Sequence, residues 1–200
     1  VAPGTDGNLL TSDGTNWVSE TPAVAASPSV VLISYTEPSA VTTVDLTGFN
    51  STLYQSYFVD FHLVPGTDNK NLWVRTSSDG GSTFDTGSTD YEYGYTGNPF
   101  NNAFFGDNST GAPKILINQW TVGNAAAESI DGRLIIYAPH ATTTTKMTWQ
   151  TMHQTDVAVG NSTAGAGHRD SAAAVDAIQF RFSGGNVGSG TVAFYGLTKA

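Results

Sequence analysis

The segment Asp176 to Leu197 reads DAIQFRFSGGNVGSGTVAFYGL and decides the fold class. Ile178, Phe180 and Phe182 share one parity, and Gln179 and Arg181 the other. Past the glycine-rich stretch Ser183 to Gly190, a second run offers Val192 and Phe194, then Tyr195 and Leu197. Alternation with period two, bounded by glycine, is the pattern of half-buried strands, and it predicts a terminal β-hairpin.

Composition supports an all-β chain. Its 200 residues suffice for one full domain with a core, or a domain with a small appendage. Only 12% of residues are charged, and Gly, Ser, Thr and Asn take their place, which suits strands and turns over long helices. The net charge of -9 leaves no basic stripe for nucleic acid and no attraction to an anionic membrane surface. No apolar run approaches the ~20 residues of a membrane helix. With no cysteine there is no disulfide framework, thiolate metal site or thiol nucleophile. The sequence opens on Val1 and shows no signal peptide, so a start inside a longer protein or after processing is expected.

Residues 1–28 stand apart as an extended segment and linker. Leu9, Leu10, Trp17 and Val18 are too few for a core, Asp6-Gly7 and Asp13-Gly14 are turn dipeptides, and Pro22 and Pro28 bracket an Ala/Ser linker. Residues 29–200 form the body. Strands are expected at Val30–Tyr35, Val41–Leu46, Leu53–Val64, Leu72–Thr76, Asp90–Thr96, Lys114–Trp120, Ser129–Tyr137 and Met147–Thr155. Loops are expected at Asn98–Pro113 and Val157–Gly167, and single helical turns at Ala125–Glu128 and Ser171–Ala174. Leu53, Tyr57, Val59, Phe61 and Leu63 share one face; Met147, Trp149 and Thr151 share another; Leu134, Ile135 and Ile136 suggest burial on both faces. Many short strands without helical periodicity predict a β-sandwich or barrel.

Two stretches resemble bacteriophage virion-fibre proteins. GTDGNLLTSDGTNWVSETP (residues 4–22) is similar to a short module that precedes or links fibre domains. LWVRTSSDGGSTFDTG with Asp90–Tyr93, and the terminal segment ending in Tyr195-Gly196-Leu197, resemble a family of phage virion proteins with a jelly-roll-like sandwich. The likeness covers the ends of the body; residues 100–174 carry no matching motif. It implies a jelly-roll-like antiparallel β-sandwich and a tail or head fibre component exposed on the virion. It also implies a homo-oligomer, as fibres are trimers, joined to other virion proteins through the N-terminal segment, with attachment to a receptor or glycan of the host surface as its task.

No catalytic set is visible. Asp60, Glu92, Glu128, Asp131, Asp156, Asp170 and Asp176 lack a diagnostic context for paired-carboxylate chemistry, and Asp60 and His62 read as solvated neighbours on one strand face. His62, His140, His153 and His168 show no metal-ligand spacing. Asp79 and Asp85 offer oxygen ligands suited to calcium, without EF-hand spacing. His168-Arg169-Asp170 reads as a turn with a local ion pair. There is no nucleophile elbow and no phosphate loop. Neither metal nor cofactor is expected. Ser77 to Phe84, SSDGGSTF, resembles the Asp-box turn of sialidase propellers. With one good copy it predicts a tight hairpin turn built on Asp79, Gly81, Thr83 and Phe84, not a propeller. Three Asn-x-Ser/Thr sequons, at Asn50, Asn108 and Asn161, would mark surface loops in a secreted eukaryotic lectin-like domain and polar turns otherwise.

Tyr91, Tyr93 and Tyr95 alternate along an expected strand. Phe100, Phe104 and Phe105 follow among Asn98, Asn101, Asn102, Asp107 and Asn108. Aromatic faces beside amides suit sugar rings, which makes Tyr91 to Gly111 the expected receptor loop. The opposing reading puts the tyrosines in the core and uses the phenylalanines to pin the loop. The leading expectation is a non-catalytic host-binding fibre domain. A depolymerase with unidentified carboxylates, and a purely structural decoration or tail-tip protein, are its competitors.

Overall fold

The computed structural model describes residues 9–12, 14–20, 29–101 and 104–199, without the side chains of 9–11 and 18–20. The first two strands, β1 (Leu9–Ser12) and β2 (Trp17–Glu20), pair antiparallel with Ser12 opposite Trp17. Within the segment expected to be extended, these two strands make a small hairpin, with Gly14 at φ +91° between them. Trp17 is 64% exposed; the expectations for Leu9, Leu10, Val18 and the linker at 21–28 fall outside the described side chains and residues.

The body is an all-β sandwich of two antiparallel sheets. Its strands are β3 (Val30–Thr36), β4 (Val44–Leu46), β5 (Tyr54–Pro65), β6 (Leu72–Ser77), β7 (Tyr91–Pro99), β8 (Phe105–Ala112), β9 (Ile115–Leu116), β10 (Ile130–Tyr137), β11 (Lys146–Gln154), β12 (Gly160–Arg169), β13 (Ala177–Phe182) and β14 (Val187–Thr198). The large sheet runs β3-β14-β5-β10-β11-β12-β7-β8, and the small sheet β4-β13-β6-β9. No helix forms among the described residues; 125–128 makes a turn closed by Glu128 N–H to the Ala125 carbonyl at 2.9 Å.

Alternation drives the packing. Tyr57, Val59, Phe61 and Leu63 of β5, with Leu134 and Ile136 of β10 and Val192 and Phe194 of β14, are buried against Val44, Leu46, Leu72, Val74, Ile178 and Phe180 of the small sheet. The rings of Phe61 and Phe180 meet across the sheets at 5.3 Å, and Tyr57 stacks on Phe194 at 5.4 Å. Leu53, expected with the β5 core face, lies before the strand and is exposed.

The terminal segment forms two strands but no hairpin. β13 pairs with β4 and β6 in the small sheet, and β14 pairs with β3 and β5 in the large one. The glycine-rich stretch carries the chain from sheet to sheet, with Gly185 at φ +70°. Likewise the Ser77–Phe84 turn connects β6 and β7, which belong to different sheets, so it is a tight turn without being a hairpin. Ile135 is half-buried on the outer side while Leu134 and Ile136 are buried, so β10 is one-faced. The expected strand at Lys114–Trp120 shrinks to Ile115–Leu116.

Both expected loops contain strands. Asn98–Pro113 holds the end of β7 and all of β8, an edge strand of polar residues that faces solvent, as edges usually do. Val157–Gly167 holds most of β12. Its glycines look like loop signals but mark close approaches. A Cβ on Gly165 would run into the Trp149 ring and come within 2.8 Å of the Gly94 carbonyl, and one on Gly167 would meet the Glu92 carbonyl at 2.8 Å.

This packing fixes an expected outcome. Gly165→Ala must displace the buried Trp149 ring, and should cost about 1–3 kcal/mol and lower Tm by roughly 3–10 °C in a thermal melt. Ala164→Ser, pointing outward from the same strand, should leave Tm nearly unchanged.

Candidate functional site

The outer face of the large sheet carries a trough. On β12, odd-numbered residues point inward and Ser162, Ala164, Ala166 and His168 point outward. Register places Thr148 of β11 opposite Ala166 and Gly94 opposite Ala166 on the other side; Gln150, Ala164 and Thr96 form the next row. These floor residues are small, whereas β10 raises Arg133, Ile135 and Tyr137 beside them and β8 raises Asn108 and Thr110. Small side chains between taller ones leave three adjoining depressions of about 560, 390 and 260 Å³, the first two sharing Thr148 and the last two Gln150 and Ala164. Tyr137, 44% exposed, stands at one end, and Phe104, 81% exposed, lines the other beside Asn98 and Ser162.

The predicted aromatic set is divided by the sheet. Tyr91 and Tyr95 are core residues, 0% and 5% exposed, and cannot meet a receptor. The Tyr91 hydroxyl accepts from the Thr76 N–H at 2.7 Å, and burial pushes its pKa up to about 12. Burial also raises the hydroxyl of Tyr95, with the Asp107 carboxylate adding to the effect. Tyr93 is half-buried and stacks with Tyr95, whose other neighbour is the edge-on ring of Phe105. Only Phe100 and Phe104 project, 64% and 81% exposed, and Phe100 covers Gly160. Alternation put the tyrosines on one side; it could not say that a second sheet lies there. The trough itself was missed because its signal is a lack of bulk, the outward Ser/Ala series of β12.

The Asp79 turn is built as expected. Asp79 accepts from the Thr83 N–H at 2.9 Å, the Thr83 hydroxyl at 2.6 Å and the Ser77 hydroxyl at 2.7 Å, which hold its carboxyl down to about 2. Gly80 and Gly81 take φ of +72° and +86°, and the Phe84 ring lies beside Gly81. Asp85 is committed to Arg169, which is 5% exposed and lies 2.7 Å away, and to the Thr76 hydroxyl. Both aspartates thus serve the β6–β7 connection, Asp79 within its own turn and Asp85 toward β6 and β12.

Other carboxylates are paired on the surface. Asp60 takes a two-pronged bond from its cross-strand partner Arg133 at 2.6 and 2.7 Å, and Asp131 lies 2.7 Å from His62. At the Tyr137 end of the trough, His168 Nε2 lies 2.9 Å from Asp170 and 3.9 Å from Glu92, its register partner. The three ligand atoms sit within 4.8 Å of one another on side chains 32–43% exposed, an open donor set that could take a hydrated cation. His168 and Asp170 therefore do contact one another, at the end of a strand, while Arg169 between them points into the body.

No family model matches the chain, and comparison with curated proteins and with solved structures found no match either.

The inner face beneath the trough is unusually polar. His153, Asn161, Thr151 and Thr163 are all buried, with His153 opposite Asn161 and Thr151 opposite Thr163. Burial pushes His153 down to about 4, against the smaller, opposite influence of the Trp120 backbone. Between pH ~6.5 and about 4 the folded protein thus holds fewer protons than the unfolded chain. Stability is full above pH ~6.5 and falls toward pH 4, by up to roughly 3 kcal/mol. Urea melts across that range should show the slope in the parent and lose most of it in His153→Gln. The Asp79 turn acts lower: its contribution is present above pH ~4 and is lost as pH falls toward 2.

Proposed function

We propose that this chain is a non-catalytic binding domain of a phage virion fibre that engages a host-surface glycan through the outer trough of its large sheet. The observation that carries the reading is the trough: a preformed, elongated depression on a rigid sheet, floored by small and hydroxyl-bearing side chains. Thr96, Asn98, Thr148, Gln150 and Ser162 supply hydrogen bonds along it, and Tyr137 and Phe104 stand as stacking faces at its ends. Alternating polar contacts and aromatic platforms suit a run of sugar rings. The virion setting and the jelly-roll-like form of the sandwich rest on the sequence resemblance.

The fibre reading includes a homo-oligomer, a trimer by the same resemblance, attached to the particle through its N-terminal segment. A fitting surface lies beside the trough: register aligns Leu32, Tyr195, Phe58 and Ile135 as an apolar row across four strands of the outer face, with Leu32 52% exposed.

Among the described residues the Glu92–Asp170 pair is the feature that favours an enzyme, since carboxyls this near serve retaining glycosidases. Both are open to solvent and lean on His168, so a role in chemistry is not proposed.

Adsorption to host cells, or retention on their isolated surface polysaccharide, tests the reading. Gln150→Ala and Phe104→Ala should each weaken binding about 5–50-fold with Tm unchanged, whereas Tyr91→Phe should not alter it. Parent-like binding by both trough variants would overturn the assignment. Release of reducing ends from the polysaccharide, abolished by Glu92→Gln, would instead establish the enzyme.

A further inference from the structure

The outer face of the small sheet gathers cations around one indole. Trp73 and Arg75 sit two residues apart on β6 and so share a face. Arg181 of β13 is the register partner of Trp73, and Lys114 precedes β9, whose Leu116 pairs with Trp73 from the other side. Lys114 Nζ lies 4.8 Å from the Trp73 ring centroid, and the guanidinium carbons of Arg75 and Arg181 each lie 5.9 Å from it. Three of the chain's eight Lys and Arg residues thus meet at one tryptophan, in a protein of net charge -9.

None of the three is within ion-pair distance of a carboxylate among the described residues; the ion pairs there belong to other side chains. The carboxylate on neighbouring strands of this face, Asp45, is bonded to Gln179 at 2.9 Å. Arg75 spends one donor on the Pro113 carbonyl, and Arg181 Nε is shielded from solvent without a hydrogen-bond partner. All four side chains are half-buried. Burial, and then the charge of Arg181, lower the pKa of Arg75, so the cations strain against one another. Like charges held together, partly desolvated and short of partners, are placed for an anion, and guanidinium forks fit planar or tetrahedral oxyanions best.

We propose that Arg75, Lys114 and Arg181 around Trp73 form an anion-binding site for a carboxylate, sulfate or phosphate group carried on a polymer. This site is on the opposite face from the trough and does not depend on it. The Trp73 ring offers a stacking platform beside the charges, so the polymer the geometry favours is an acidic polysaccharide.

The test uses the whole chain with sulfated dextran, polygalacturonate, a phosphate-bearing glycan polymer and neutral dextran. The three acidic polymers separate sulfate, carboxylate and phosphate as the source of the anion. At least one of them should bind, more weakly as salt rises, while neutral dextran does not. Arg75→Gln/Arg181→Gln should reduce that binding at least tenfold, Arg181→Lys should keep part of it, and Gln150→Ala in the trough should leave it unchanged. At equal ionic strength sulfate should raise Tm above chloride by more in the parent than in the double variant, the general salting-out effect being common to both, a readout independent of any polymer. Equal retention of acidic and neutral dextran, or equal binding by parent and double variant, would overturn the proposal. A loss confined to Gln150→Ala would overturn it too, while supporting the trough.

Discussion

The chain's crossing from β13 to β14 is the constraint on which the sandwich depends. These neighbours in sequence cannot pair with each other, because β4 and β6 claim one and β3 and β5 the other. The crossing is held at both ends. Ser183 N–H bonds the Asn71 carbonyl at 2.8 Å, Gly66 N–H bonds the Asn186 carbonyl at 2.8 Å, and Val187 exchanges bonds with Val41 at 2.7 and 3.2 Å. Gly190, at φ +141°, passes so close to the His62 carbonyl that a side chain would collide with it. One stretch therefore sets the separation of the sheets, and Phe180 and Phe194, just either side of it, fill the space between them.

A second fastening works at the far side of the body. Arg169 leaves the end of β12, is almost wholly buried and holds Asp85 in the β6–β7 connection, while its guanidinium also reaches the Ala173 carbonyl and the Ser78 hydroxyl. Removing one partner from such a pair leaves a buried charge, at a cost of ~3–5 kcal/mol. The Asp79 turn and the Tyr91 hydroxyl lie on the same connection, so a dense set of polar bonds is spent on joining the sheets.

Legibility in the sequence followed the strength of alternation. β5, β11 and β14 were readable because Tyr57, Phe61, Trp149 and Phe194 stand at period two among polar residues. The all-β sandwich followed from them. β12 was not readable: its inward positions are Asn161, Thr163, Gly165 and Gly167, the glycines fitting the room that the Trp149 ring and the Glu92 carbonyl leave, and such residues also make loops. Pairing was hidden as well. Proximity in sequence suggested a hairpin where long-range registers prevailed. Of the aromatic set, Phe100 and Phe104 are exposed while Tyr91 and Tyr95 are buried, as the opposing reading had the tyrosines, since parity gives a shared side and not which side is wet. The Trp73 cluster arises from two strands and the residue that precedes a third, and has no local motif.

β12 also divides its labour by parity. Its inward residues are fixed by the rings and carbonyls against them, and its outward Ser162, Ala164 and Ala166 touch little beyond solvent. The floor of the trough can therefore be rebuilt one side chain at a time, filling a recess or adding a donor, while the interior stays as it is. A surface with that property can follow a changing ligand through single substitutions, and closely related chains would be expected to differ there first.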